Sequence, residues 1–170
     1  RMGRMGYFNQ IDLDPGLGQS FTAPFEVGFH ALEVFNGDYV YQPEKVERDL
    51  AEWWTLLNRG IRVTATGNSD AHKLGYQEAG FPRNYVHVGS DDPAKVSAAA
   101  LREALRAGRV SVSSGPYLTL EVAGRNVIGD TLKGPATVTL TVSAPCWVSV
   151  AQVRILENGR VLETIDLPAA

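Results

Sequence analysis

Val63-Thr64-Ala65-Thr66-Gly67-Asn68-Ser69-Asp70-Ala71-His72 is the stretch that decides the fold. Its β-branched opening belongs to a buried strand, Ile61 to Thr66, and Gly67-Asn68-Ser69 breaks that strand, so Asp70 and His72 are expected in the loop at its carboxyl end. In α/β proteins ligands and active sites collect at that end. A carboxylate and a neutral imidazole two residues apart are both donors to Zn²⁺, Mn²⁺ or Fe²⁺. Two donors make part of a metal site, not a whole one.

Working outward, strands and helices alternate. Ala31-Leu32-Glu33-Val34-Phe35 is a short strand stopped by Asn36-Gly37. A helix is predicted from Pro43 to about Arg59, with Gly60 just past its end, and Val46, Leu50, Trp53, Trp54 and Leu57 on its inward face. The next strand is predicted at Tyr85 to Val88. Asp91-Asp92-Pro93 then marks the start of a second helix, which buries Val96, Ala100, Leu101, Ala104 and Leu105 and ends at Gly108. Arg109 to Ser113 is another strand. This alternation predicts right-handed βα units and a mostly parallel sheet or barrel, of which so few strands can form only a part.

At Gly115-Pro116 the pattern changes to period-2 alternation. Strands are expected at Tyr117 to Val122, Thr137 to Val142, Val148 to Val150 running into Val153 to Leu156, and Val161 to Ile165, with Asn158-Gly159 as a hairpin turn. These strands read as a partial antiparallel β-sandwich. The expected division is therefore 1–114, the carboxyl-terminal part of an α/β domain, and 115–170, the β-sandwich module. Both ends of the chain read as cut.

Composition narrows the function. In 170 residues, 44% are hydrophobic and 21% charged, which suits a folded globular chain and not a disordered one. A formal net charge of −3 argues against a broad nucleic-acid surface, which needs clustered Lys and Arg. Cys146 stands alone, so neither an intrachain disulfide nor a cysteine zinc site can form. That fits the cytosol without requiring it, and the compartment stays open. No apolar run reaches the ~18 residues of a membrane span. Arg1-Met2-Gly3-Arg4-Met5-Gly6 has no apolar segment of the secretory kind. Residues 1–30 read as a long loop whose Tyr7, Phe8, Phe21, Phe25 and Phe29 are expected to pack across the open edge of the partial barrel, or else the chain to form a homo-oligomer.

Four strings, Ala31-Leu32-Glu33-Val34-Phe35-Asn36-Gly37, Gly67-Asn68-Ser69-Asp70-Ala71-His72, Gly80-Phe81-Pro82-Arg83-Asn84-Tyr85-Val86 and Ser113-Ser114-Gly115-Pro116, resemble the PHP (polymerase and histidinol phosphatase) superfamily. More narrowly they look like its CehA/McbA-type metallohydrolase branch, over about residues 1 to 165. The resemblance implies a distorted (β/α)₇ barrel holding two or three divalent metals, Zn, Mn or Fe, with a β-rich segment after it. Of the family's four ligand motifs it places only the last here, as Asp70 and His72. It implies hydrolysis of a small-molecule phosphoester or related ester by metal-activated water in the intact protein, and little activity from these residues alone.

On the same resemblance Arg83 is a candidate anion clamp, and Glu33 and Asn36 are candidate pocket residues. No catalytic acid or base is singled out. Plainer roles stand beside these: Glu33 as a buried hydrogen-bonded carboxylate, Arg83 as a surface ion-pair partner, His30 and His87 as structural or exposed histidines, Trp53 and Trp54 as core, and Lys73 as solvated. Two other functions remain open. One is an amidohydrolase-type barrel, which also uses a late Asp; the other is a non-catalytic PHP-like scaffold or binding module.

Overall fold

The computed structural model describes residues 28–39 and 41–168. Its elements are β1 (Ala31–Asn36), α1 (Pro43–Asn58), β2 (Thr64–Asn68), β3 (Arg83–Val86), α2 (Ala98–Arg106), β4 (Val110–Ser113), β5 (Tyr117–Val122), β6 (Arg125–Asn126), β7 (Thr139–Ser143), β8 (Gln152–Glu157) and β9 (Arg160–Asp166). The architecture is mixed α/β, and among the described residues the sheets stay small and none closes into a barrel. Both helices end as their glycines predict. Gly60 and Gly108 take φ of +77° and +74°. The amides after them reach back, Ile61 to the Leu56 carbonyl and Arg109 to the Ala104 carbonyl, each at 3.0 Å, in the Schellman pattern.

β1 and β2 are parallel, with Ala31 opposite Thr64 and Asn36 opposite Asn68. The expectation of a mostly parallel sheet needs correction beyond this pair. β3 and β4 run antiparallel, Arg83 opposite Ser113, and they form their own two-stranded sheet. What joins β2 to β3 is a side chain: the Asn84 carboxamide accepts from the Gly67 amide at 2.9 Å and donates to the Gly67 carbonyl at 2.8 Å. One residue thus satisfies both backbone groups that a ladder would otherwise pair.

The core sits where α1 packs on β1 and on the segment leading into β2. Leu56 and Val63 are buried, with Phe29, Leu32, Trp53 and Ile61 packed on them, and the Trp53 indole donates to the Val63 carbonyl at 2.7 Å. The inward face of α1 differs from the expected one: Glu52, Thr55 and Leu56 are its buried residues, while Val46, Leu50, Trp53, Trp54 and Leu57 are half-buried. Thr55 is admitted because its hydroxyl donates to the Ala51 carbonyl at 2.8 Å, which removes the cost of burying it. Of the amino-terminal aromatics, Phe29 packs on the core, and Tyr7, Phe8, Phe21 and Phe25 lie outside the described residues.

Other boundaries shift by a few residues. β2 starts at Thr64, not Ile61, because Ile61 turns back to close the end of α1. The second helix has two parts. Asp92 accepts from the Ala94 amide to start a 3₁₀ turn, Pro93–Lys95, and Ser97 accepts from Ala100 to start α2. In α2 only Ala104 is fully buried, and Leu101 is exposed. Val148 to Val150 are not in a strand.

β5 pairs antiparallel with β6 and with β7, and β8 pairs antiparallel with β9. Asn158 and Gly159 have φ of +52° and +82°, so the β8–β9 turn is of the type I′ form that Asn-Gly favours. Ala123-Gly124 makes the same turn between β5 and β6, with φ of +49° and +76°. β9 is exposed throughout its length. No described helix is long and apolar enough to cross a membrane.

Candidate functional site

The carboxyl ends of β1 and β2 lie side by side because the strands are parallel, with a one-residue shift in register between Glu33 and Phe35 that leaves Asn36 opposite Asn68. That register brings Glu33 and Asn36 of β1 to Asn68 of β2 and to the residues just beyond it. The Asn36 carboxamide donates to Glu33 Oε1 at 2.9 Å and to Asp70 Oδ2 at 3.3 Å. Asn68 donates to the other Glu33 oxygen, and Asn84 donates to Asn68 Oδ1 at 3.1 Å. A continuous hydrogen-bonded chain therefore runs from the backbone of Gly67 through Asn84, Asn68, Glu33 and Asn36 to the carboxylate of Asp70. Asp70 itself has φ of +51°, a left-handed conformation that Asp tolerates better than most residues.

His72 follows on the same turn. Its backbone amide donates to Gln77 Oε1 at 2.9 Å, and Gln77 in turn donates to Asp38 Oδ1 at 3.3 Å. The ring nitrogen Nδ1 meets the carbonyl oxygen of Asp70, with Asp70 Oδ1 at 3.8 Å. A carbonyl can only accept, so in the neutral ring Nδ1 carries the proton and Nε2 keeps its lone pair. A metal-binding histidine is usually held this way, one nitrogen fixed by an acceptor and the other free to ligate. The side chains of Asp70 and His72 are each about half-exposed, at 53% and 56%, so solvent and small ions reach both.

Glu33, Asn36 and Asp70 are thus brought together by the end of β1 and the loop after β2, and His72 follows on that same loop. Glu33 is exposed, which corrects the reading of it as a buried carboxylate; two carboxamides, not burial, hold it. Arg83 is exposed at the start of β3 and makes no hydrogen bond or ion pair with this network among the described residues. Asn84 and Asn68 are the residues sequence reasoning did not assign. Asn84 sits in a loop-to-strand string where a carboxamide is unremarkable, and only the approach of Gly67 shows its role.

The other histidines lie elsewhere. His30 is exposed just before β1. His87 is half-buried, with Nε2 at 3.5 Å from Ser111 Oγ and Nδ1 at 3.4 Å from Asn126 Nδ2. Its burial lowers its pKa below the ordinary histidine value. Lys73 is not simply solvated; its ammonium lies over the Tyr76 ring, 5.5 Å from the centroid.

As to a metal, Asp70 offers a carboxylate and His72 a free Nε2, both donor types that divalent ions take. Among the described residues no group of three or more His, Cys, Asp or Glu side chains is placed to hold an ion. Comparison with family models, curated proteins and solved structures finds no match.

Proposed function

We propose that this chain carries the Asp-x-His part of a divalent-metal centre in a PHP-type hydrolase acting on a small phosphoester or related ester. The single observation that supports it most is the Asp70 carboxylate, held at the carboxyl end of a parallel strand pair by Asn36, beside a histidine whose Nδ1 is fixed by a carbonyl. A bound Zn²⁺, Mn²⁺ or Fe²⁺ supplies an acidified water and polarises the substrate oxygen. The chain's own residues do the rest. Asp70 and His72 hold the ion, Asn36 and Glu33 orient Asp70, and Arg83 is the candidate clamp for the substrate anion. On this reading residues 1–114 belong to a PHP-type barrel and 115–170 to a β-sandwich module.

The test is a Mn²⁺ or Zn²⁺ titration of the whole chain, followed calorimetrically and by the Mn²⁺ electron spin resonance signal. One saturable ion is expected, lost in Asp70→Asn and in His72→Ala and kept in His30→Ala. Ester turnover is expected to be slight, because the described residues offer no third ligand. Equal ion binding in wild type and Asp70→Asn rejects the assignment.

A second reading has its own observation. Asp70 already engages Asn36 through its carboxylate and His72 through its carbonyl, so the pair can serve to lock the loop of a non-catalytic scaffold. That reading predicts no saturable ion and a lowered melting temperature in both variants.

A further inference from the structure

A cleft of about 250 Å³ opens beside the Asp70 loop, lined in part by Asp38, Tyr41, Ser69, Tyr76, Glu78 and Phe81. It is smaller than the ~300–1,000 Å³ of drug-sized sites, so it suits one chemical group of a ligand and not a whole large molecule. Its lining brings two carboxylates and three aromatic rings together, and no Lys or Arg is among the lining residues. Such walls repel an anion. They favour a cation whose charge faces the carboxylates while its methyl or methylene groups cover the rings.

One further observation points the same way, and one sets a condition on it. Tyr41 and Tyr76 are 94% and 71% exposed, so their rings have apolar surface that a ligand can cover. The Lys73 ammonium already lies over the Tyr76 ring, 5.5 Å from its centroid, so a ligand ammonium must displace it to use that face. The cleft also lies tight against the candidate metal loop. A side chain on Gly37 would put its Cβ 2.2 Å from the Ser69 carbonyl oxygen, so only glycine lets these two walls meet. Gln77 ties Asp38 on one wall to the His72 backbone on the other.

We infer that this cleft binds an organic ammonium group, a quaternary or alkylated amine. Its assignment as the place of a cationic alcohol portion of the ester rests on the hydrolase reading above; the binding itself does not.

The probe is choline, titrated into the whole isotope-labelled chain and followed by amide chemical shifts. Saturable shifts are expected at residues 37–39, 69 and 76–81. The neutral isostere 3,3-dimethylbutan-1-ol, in which carbon replaces the charged nitrogen, is expected to bind at least about five-fold more weakly, the size of a solvent-exposed cation–aromatic contact. Glu78→Gln and Tyr76→Leu should each weaken choline by about three-fold or more, and since both side chains are exposed the variants keep the fold. No saturable choline shift, or equal binding of the isostere, overturns the inference. The two readings separate cleanly. Asp70→Asn should remove the metal and leave choline binding intact, and Glu78→Gln should do the reverse. Metal binding without choline binding defeats the cleft alone; choline binding without metal binding keeps the ammonium site and removes only its place in the ester reaction.

Discussion

The region around β1, α1 and β2 and the β8–β9 hairpin contain similar proportions of apolar residues but use them in opposite ways. In the first, Val34, Leu56 and Val63 are at 3%, 0% and 4% exposure, because α1 lies across the strands and supplies a second layer. In the second, Val161 and Leu162 are 52% and 67% exposed, and Ile155, Leu156 and Ile165 about 40%. Alternation along a strand says which residues share a face; whether that face is covered depends on what the rest of the chain brings to it. The polar network at Asp70 rests on the well-packed region, where the ends of β1 and β2 are paired, and not on the hairpin.

The largest effect expected from this contrast is at Leu56. Leu56→Ala should cost about 2–5 kcal/mol in urea unfolding, the transfer and cavity terms of a fully buried leucine. Leu162→Ala in the hairpin should change stability by no more than about 0.5 kcal/mol. A Leu162→Ala loss as large as that at Leu56, appearing only at high protein concentration, would break the comparison by showing that a second copy covers the hairpin in solution.

Next comes Asn84. Gly67 is buried, so Asn84→Ala leaves its amide and carbonyl without their partners and should cost about 1–3 kcal/mol. Hydrogen exchange sharpens the point: the Gly67 amide should lose protection before the β3–β4 amides do. If metal binding at Asp70 weakens in the same variant, the chain of carboxamides transmits its order to the site. Unchanged exchange at Gly67 would mean that the Asn84 contact is not what joins β2 to β3.

The smallest effect is a pH dependence at His87. Asn126 Oδ1 accepts from the Ile128 amide at 3.0 Å, so its nitrogen faces His87 Nδ1, and that ring atom must be the acceptor. A proton there would set donor against donor. With its folded pKa below that of the unfolded chain, His87 contributes stability that is full above about 6.5 and lost as pH falls through that value toward the folded pKa. The melting temperature should therefore drop between pH 7.5 and 5, and His87→Gln should flatten that slope. An identical slope in the variant assigns the acid sensitivity to other groups.

Much of this was legible from local chemistry. Gly60 and Gly108 as helix ends, Pro43 as a helix start and Asn158-Gly159 as a hairpin are decided by the φ each residue accepts. The neighbourhood of Glu33, Asn36 and Asp70 followed from reading two strand ends as adjacent. The β5–β6 hairpin was not legible, because Ala123 carries no signal for the left-handed conformation it adopts there. Nor was the buried face of α1, since Glu52 and Thr55 look like solvent-facing residues in a helical pattern.

By itself the sequence determined the local choices: where helices stop, which residues alternate along a strand, and that a carboxylate and an imidazole share one turn. Those depend on backbone preference and spacing, which neighbours in the chain settle among themselves. Only the tertiary structure decided that β3 and β4 run antiparallel, that Asn84 replaces a ladder beside Gly67, that Arg83 stands apart from the network, and that two loops enclose an acidic aromatic cleft. Each of those depends on which distant groups need a hydrogen-bond partner or a covering surface, and such needs are met across space by residues whose identities carry no mark of it.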